Sequence, residues 1–137
     1  MNEEKYNTDS RVCAFSNFLM FLIFALCYPC ITNAGKADVT DVHAEYKGHS
    51  RFTFHVTVSH PDEGWSHYVD RWEIRTTDNK ILAARPLRHP HVNEQSFTRF
   101  LPNVPIPDSV KTVVIHAHCS KDDYGGKTVE VVLKRDE

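Results

Sequence analysis

The sequence predicts an all-β domain, a sandwich of two sheets built from about seven short strands, behind an N-terminal hydrophobic export segment. Three observations carry this prediction. Short runs alternate apolar with polar residues, turn residues separate these runs, and one strongly apolar stretch precedes them all. We therefore divide the chain into an export segment, residues 1–34, and a single domain, residues 35–137.

The export segment is recognised by its lack of charge. Residues 12–35 contain no Asp, Glu, Lys or Arg, and residues 18–26 read FLMFLIFAL, an apolar run of signal-peptide length. Small residues around Ala34 and Ala37 suit cleavage, which predicts a periplasmic or secreted protein. The alternative is an uncleaved membrane anchor, because a span needs roughly 20 apolar residues. In that case the protein contacts the membrane through this segment alone.

Two cysteines, Cys27 and Cys30, form a C-x-x-C inside the export segment. Neither follows a small residue, so lipid attachment is not predicted. We interpret both as small apolar residues of the signal.

Strands are expected where apolar and polar residues alternate between turn residues. In chain order they cover residues 39–46, 51–59, 67–75, 81–87, 96–101, 111–118 and 128–133. The turn at residues 77–80 predicts a hairpin. Prolines at positions 102, 105 and 107 predict a crossover between sheets, because proline cannot donate to a central ladder. Seven strands in about 100 residues indicate an immunoglobulin-like sandwich.

The alternation also assigns faces to three of these strands. In the second strand the core-facing residues are Phe52, Phe54, Val56 and Val58. In the third they are Tyr68, Trp72 and Ile74, and in the sixth they are Val113, Ile115 and Ala117. His116 and His118 are expected on the opposite face of the sixth strand.

The charge of the domain excludes one class of partner. After residue 34 the chain has 14 Lys and Arg against 15 Asp and Glu, since Lys5, Arg11, Glu3, Glu4 and Asp9 precede it. No basic stripe is present to neutralise phosphates, so nucleic-acid binding is not predicted. The chain also lacks a Gly-x-Ser-x-Gly elbow and a phosphate-binding Gly loop.

Histidine is the strongest compositional signal, because all nine His lie between His43 and His118. His60 and His67 occupy the two ends of one short loop. Cys119, the one cysteine after residue 34, ends the sixth strand. Imidazole and thiolate are ligands of Zn, Cu and Fe, so this pattern predicts a mononuclear metal site. Alternatively, the His at alternate strand positions bind no metal and simply cover a solvated face of the sheet.

The motifs His60-Pro61 and His67-Tyr68-Val69, a following Trp, and Cys119-Ser120 before a Gly-containing turn resemble the iron-binding domain of superoxide reductases, the desulfoferrodoxin and neelaredoxin family. The resemblance implies an immunoglobulin-like fold. It also implies one non-haem iron, held by four equatorial His and an axial Cys, that reduces superoxide to peroxide.

Carried over by position, the resemblance makes His60 and His67 equatorial ligands and Cys119 the axial thiolate. Where the family has a His three residues after the Cys, this chain has Asp122. His43 is the nearby candidate for the N-terminal ligand. Iron is the metal that the resemblance implies, with Zn or Cu as alternatives. A hard oxygen donor at Asp122 favours Zn or a higher oxidation state. Glu63 is a candidate acceptor that fixes an imidazole tautomer, or else a solvated carboxylate.

Three functions stay open at this point. The first is an exported superoxide-reductase-like oxidoreductase, and the second is a metal carrier or sensor. The third is a non-enzymatic module that binds an envelope protein partner through residues 89–91, Trp65 and exposed strand edges. The chain also resembles bacterial envelope proteins of unknown activity that share the features HPHVNEQ, at residues 89–95, and YGG, at residues 124–126.

Overall fold

The structure is a computed structural model, and it describes residues 35–135. The predicted export segment lies outside the described residues. The strands are β1 (Asp38–Tyr46), β2 (Arg51–Ser59), β3 (Val69–Thr76), β4 (Ile81–Pro86), β5 (Ser96–Pro105), β6 (Thr112–Cys119) and β7 (Val129–Val132). Within residues 35–135 no helix is long and apolar enough to span a membrane.

The strands form two antiparallel sheets. One has three strands in the order β1-β2-β5, and the other has four in the order β4-β3-β6-β7. The predicted all-β, two-sheet sandwich is confirmed. Strands β2, β3 and β6 each have a neighbour on both sides, so the alternating sequences predicted to face the core occupy the central positions.

The core forms between the two sheets from the residues that the alternation selected. Phe52 and Phe54 of β2 pack in one cluster with Trp72 of β3 and Ile115 of β6, and all four are fully buried. Burying each such side chain contributes about 1.5–3 kcal/mol relative to leaving it exposed. This core fixes the ends of β2, β3 and β6 relative to one another.

One face assignment needs correction, because Val69 and not Tyr68 enters the core. Val69 is fully buried, whereas Tyr68 precedes the strand and is half-buried. The register of β3 against β6 shifts between Val69 and Arg71. Such a bulge adds one residue and reverses the alternation locally, which a period of two cannot anticipate.

The proline-rich segment after Leu101 was predicted as a crossover, but β5 continues through Pro102 as far as Pro105. It can do so because β5 lies at the edge of its sheet and pairs with β2 alone. A proline on an edge strand needs no ladder partner for its missing N–H. The passage between the sheets therefore begins after Pro105.

Candidate metal centre

Three predicted ligands meet at one end of the sandwich. His60 directly follows β2, one residue separates His67 from β3, and Cys119 ends β6. One ring nitrogen of each His and Sγ of Cys119 all lie within 4.8 Å of one another. Donors around one tetrahedral ion at 2.0–2.3 Å stand about 3.4–3.8 Å apart, so a small inward movement would complete the site. All three side chains are buried.

The orientation of His60 is set by Asp62. Nδ1 of His60 donates to Oδ1 of Asp62 at 2.6 Å, and both side chains are fully buried. Asp62 also accepts the backbone N–H of Val69 at 3.1 Å and that of His91 at 2.6 Å. Nδ1 of His60 therefore carries a proton, and Nε2 is the nitrogen that can bind a metal ion, as in carboxylate–histidine–metal triads. In the structure Nε2 contacts the carbonyl oxygen of Gly35 at 3.2 Å, so an ion would have to take the place of this contact.

His67 is held in the same way by Glu63. Nδ1 of His67 donates to Oε2 of Glu63 at 2.7 Å. This hydrogen bond raises the pKa of His67 against the opposing effect of burial, and it lowers the pKa of Glu63. The tautomer-fixing role considered for Glu63 thus corresponds to a contact in the structure.

The other nitrogen of His67, Nε2, is buried and makes no hydrogen bond of good geometry within residues 35–135, although the backbone of Gly35 lies near enough to help raise the pKa of His67. Oδ2 of Asp122 lies 3.1 Å away, yet the direction of this contact does not suit a hydrogen bond. An unpartnered buried nitrogen costs about 1–3 kcal/mol, and a bound cation is one way to satisfy it. The residues present therefore fit a metal ion.

Asp122 reaches this site through a tight turn at the end of β6. Cys119 and Asp123 exchange backbone hydrogen bonds of 2.9 and 3.0 Å, which folds residues 120–122 back over the strand end. The Cys119 thiol lies 4.0 Å from Oδ2 of Asp122. The side chain of Asp122 is 38% exposed, so its carboxylate forms the solvent side of the cluster.

Glycines allow the chain to close around the cluster at two places. The carbonyl oxygen of Gly35 lies 3.2 Å from Nε2 of His60. A Cβ at this position would stand 2.5 Å from Oδ2 of Asp122, so a side chain here would displace the carboxylate. Gly64, with φ of 131°, makes the turn that brings Glu63 and His67 together.

A second polar network supports the loop that carries Asp122. The buried carboxylate of Glu73 accepts hydrogen bonds from Tyr124, Arg71 and Arg75 at 2.6–2.8 Å. Burial alone would raise the pKa of Glu73, but these donors outweigh it and lower the pKa to about 2. Because Tyr124 is two residues from Asp122, this network fixes the far end of the loop.

The structure brings together His60, His67, Cys119 and Asp122, but it does not bring His43 to them. His43 is exposed on β1 and faces His55 across the sheet, with ring centroids 6.2 Å apart. Here β1 is paired with β2 along its length, so His43 cannot leave its position on the outer face. His118 also points away from the cluster and contacts Asp70 and Asp123.

Asp62 was not among the predicted site residues. The signal was present, because the loop between the two His contains two adjacent carboxylates, Asp62 and Glu63. Neighbouring residues point in different directions, so each carboxylate reaches a different imidazole.

The fold and the cluster together define a β-sandwich with a His, His and Cys group that could hold a metal ion. A protein of Halomicrobium mukohataei named "Putative lipoprotein" is 32% identical over 96 residues, which are 70% of this chain and 47% of that protein. The chain thus spans about half the length of this relative. No family model and no solved structure matches the chain.

Proposed function

We propose that this domain is a metal-binding module that holds one first-row transition ion. Its ligands are Nε2 of His60, Nε2 of His67, Sγ of Cys119 and a carboxylate oxygen of Asp122. The observation that carries the proposal is the buried, unpartnered Nε2 of His67 beside a buried thiol. Two imidazoles, a thiolate and a carboxylate form a donor set suited to Zn and Fe.

The remaining residues prepare these ligands. Asp62 and Glu63 hold the two imidazoles in the tautomer that exposes Nε2, which increases their basicity toward a cation. The apolar core excludes water behind Cys119, and Asp122 faces solvent. The site therefore has one open side, at the turn formed by residues 120–122.

The finer proposal is iron with a superoxide-reductase-like redox role, and it rests on the resemblance to that family. The order of His60, His67 and Cys119 along the chain supports it, as does their convergence at one end of the sandwich. A thiolate-bound iron supplies one-electron chemistry. Asp122 replaces the family's His with a hard donor, which favours Zn or a higher oxidation state and makes the metal carrier the rival function.

We further propose that the domain works in the cell envelope. The uncharged stretch at residues 12–35 supports export, and the name of the Halomicrobium mukohataei relative supports an association with the envelope. Fractionation of cells that express the full chain tests this proposal. Recovery in the cytoplasm would contradict it.

Elemental analysis tests the metal site. The protein is purified without a His tag and compared with the Cys119→Ser, His67→Ala and His55→Ala variants. We expect near-stoichiometric metal in the parent protein and in His55→Ala, whose half-buried ring lies on β2 beside His43, away from the cluster. Cys119→Ser and His67→Ala should lose it. No binding after reconstitution with Fe, Zn and Cu in turn would reject the proposal.

Reaction with superoxide separates the redox role from the carrier role. Iron-loaded protein that consumes superoxide, with the activity lost in Cys119→Ser, supports the reductase. Stoichiometric metal without this reaction supports a carrier or sensor and rejects the reductase.

A further inference from the structure

A cleft lies on the side of the sandwich, where β4 ends and the loop to β5 begins. None of its lining residues is a proposed metal ligand or a member of the Glu73 network, although the backbone N–H of His91 donates to Asp62 beside the cluster. It is lined by Arg85, Pro86, Leu87, Arg88, His89, His91 and Arg99. The lining thus contains three guanidinium groups and two imidazoles but no carboxylate.

The positive charge of this cleft is only partly neutralised. Arg99 pairs with Glu94 at 3.2 Å, on a rim where half of the Glu94 side chain is exposed. No carboxylate within the described range, residues 35–135, lies at ion-pairing distance from Arg85 or Arg88. By contrast, Arg71, Arg75 and Arg135 each have an acidic partner.

Backbone contacts position two of these guanidinium groups. Nε of Arg85 donates to the carbonyl of Phe100 at 3.0 Å, and Nη1 of Arg85 donates to that of Pro86 at 3.2 Å. Nη1 of Arg99 donates to the carbonyl of Thr98, and its Cζ lies 5.3 Å from the centre of the Phe97 ring. Holding a planar guanidinium in place lowers the entropic cost of binding an anion.

The wall of the cleft includes His91, a buried imidazole. Its ring stacks on Phe97 at 3.9 Å, and neither ring nitrogen makes a hydrogen bond within the described domain. Burial lowers the pKa of His91, and the nearby charges of Arg99 and His89 lower it further. The carboxylates of Glu94 and Asp62, the latter 3.8 Å from Nδ1 of His91, oppose this lowering of the pKa.

We propose that this cleft binds a phosphate-type oxyanion through Arg85, Arg88 and Arg99. Guanidinium groups match the planar spacing of phosphate oxygens and bind them with charge-assisted hydrogen bonds. The anion is a free phosphate or phosphomonoester, or the headgroup of an anionic lipid. A nucleic acid fits poorly, because the positive charge is confined to one cleft in a domain with balanced charge.

The test uses the full chain purified in detergent, titrated with inorganic phosphate and followed by the NMR shifts of His89 and His91. We expect saturable shifts in the parent protein. The affinity should be reduced at least about 10-fold in both Arg85→Ala and Arg88→Ala, because each removes charge-assisted hydrogen bonds.

Arg51→Ala is the matched control, since Arg51 is exposed, has no carboxylate at ion-pairing distance within residues 35–135 and lies on β2 outside the cleft. Glu94→Gln should bind more tightly, because it removes the carboxylate that competes for Arg99.

A second arm identifies the source of the anion. The domain released from its N-terminal segment is mixed with phosphatidylcholine vesicles, with and without phosphatidylglycerol. A thermal unfolding temperature equal to that of the parent domain shows that each variant is folded. Binding to the anionic vesicles that is lost in Arg88→Ala supports a headgroup ligand, whereas phosphate binding alone supports a free oxyanion. Absence of both, or equal losses in Arg51→Ala and Arg88→Ala, would overturn the proposal.

Discussion

Oδ2 of Asp122 lies 3.1 Å from Nε2 of His67, although 54 residues separate the two in the chain. The paired backbone bonds between Cys119 and Asp123 make this approach possible, because they turn residues 120–122 back over the end of β6. A further pair of contacts, between Tyr68 and Ser120, joins this turn to the loop that carries His67. The carboxylate thus lies beside two members of the His, His and Cys cluster, on its solvent side.

Replacing Asp122 by Ala should weaken metal binding by at least about 10-fold, because the ion loses an oxygen donor. The measurement is a competition titration against a chelator of known affinity. Asp123→Asn is the matched control, since its side chain is 82% exposed, contacts His118 instead of the cluster, and Asn tolerates the φ of 54° at this position. Equal weakening in the two variants would remove Asp122 from the ligand set.

Replacing Glu63 by Gln should reduce metal affinity by about 10- to 100-fold without removing a ligand, because a neutral amide oxygen replaces the charged acceptor that makes the His67 imidazole more basic. Glu94→Gln is the control at a comparably exposed carboxylate away from the cluster. The same chelator titration applies. Unchanged affinity in Glu63→Gln would mean that the imidazole is oriented by packing alone.

As the pH is lowered, metal affinity should begin to fall while the pH is still above about 6.5, the usual pKa of His. The reason is that the raised pKa of His67 lets protons compete with the metal at a higher pH. In Glu63→Gln this fall should begin at lower pH. The stability of the metal-free domain should change with pH in the opposite direction. The raised pKa of His67 stabilises the folded state at pH values below the pKa of the unfolded chain, and this contribution is lost as the pH rises through the pKa of the folded state. Affinity measured from pH 5 to 8 checks the first effect.

Replacing Asp62 by Asn should destabilise the domain by roughly 2–4 kcal/mol, because three N–H groups donate to this buried carboxylate and an amide offers a single acceptor oxygen. Asp41→Asn, at an exposed position on β1, is the control and should change little. Urea unfolding of the metal-free proteins measures both. A loss below about 0.5 kcal/mol for Asp62→Asn would contradict the role assigned to the carboxylate.

Acid should weaken the fold through Glu73. Its folded pKa of about 2 lies below the unfolded value, so its contribution is full above about pH 4.5 and is lost as pH falls toward 2. The shift corresponds to roughly 2–3 kcal/mol. Tyr124→Phe removes one of the donors and should shrink this acid-dependent loss, as measured by unfolding between pH 2 and 6. An identical pH profile in the variant would contradict this account.

Much of the fold was predictable because the strands carry their own signal. The alternation at Phe52, Phe54, Val56 and Val58 is a local pattern, and the structure buries all four. The extension of β5 through Pro102 was not predictable, because proline is tolerated only where a strand lies at an edge. Edge position depends on which strands pair, and no local pattern contains that information.

The sequence by itself determined the all-β sandwich, the alternating core and the choice of His60, His67 and Cys119 as candidate ligands. The family resemblance added His43 and Asp122. Tertiary structure alone decided that His60, His67 and Cys119 meet, that Asp122 lies beside His67 and Cys119, and that His43 stays on the outer face of β1. It also paired Asp62 with His60 and gathered Arg85, Arg88 and Arg99 around one cleft. The physical reason is that strand pairing and loop closure set distances between residues far apart in the chain, whereas periodicity reports only which side of its own strand a residue faces.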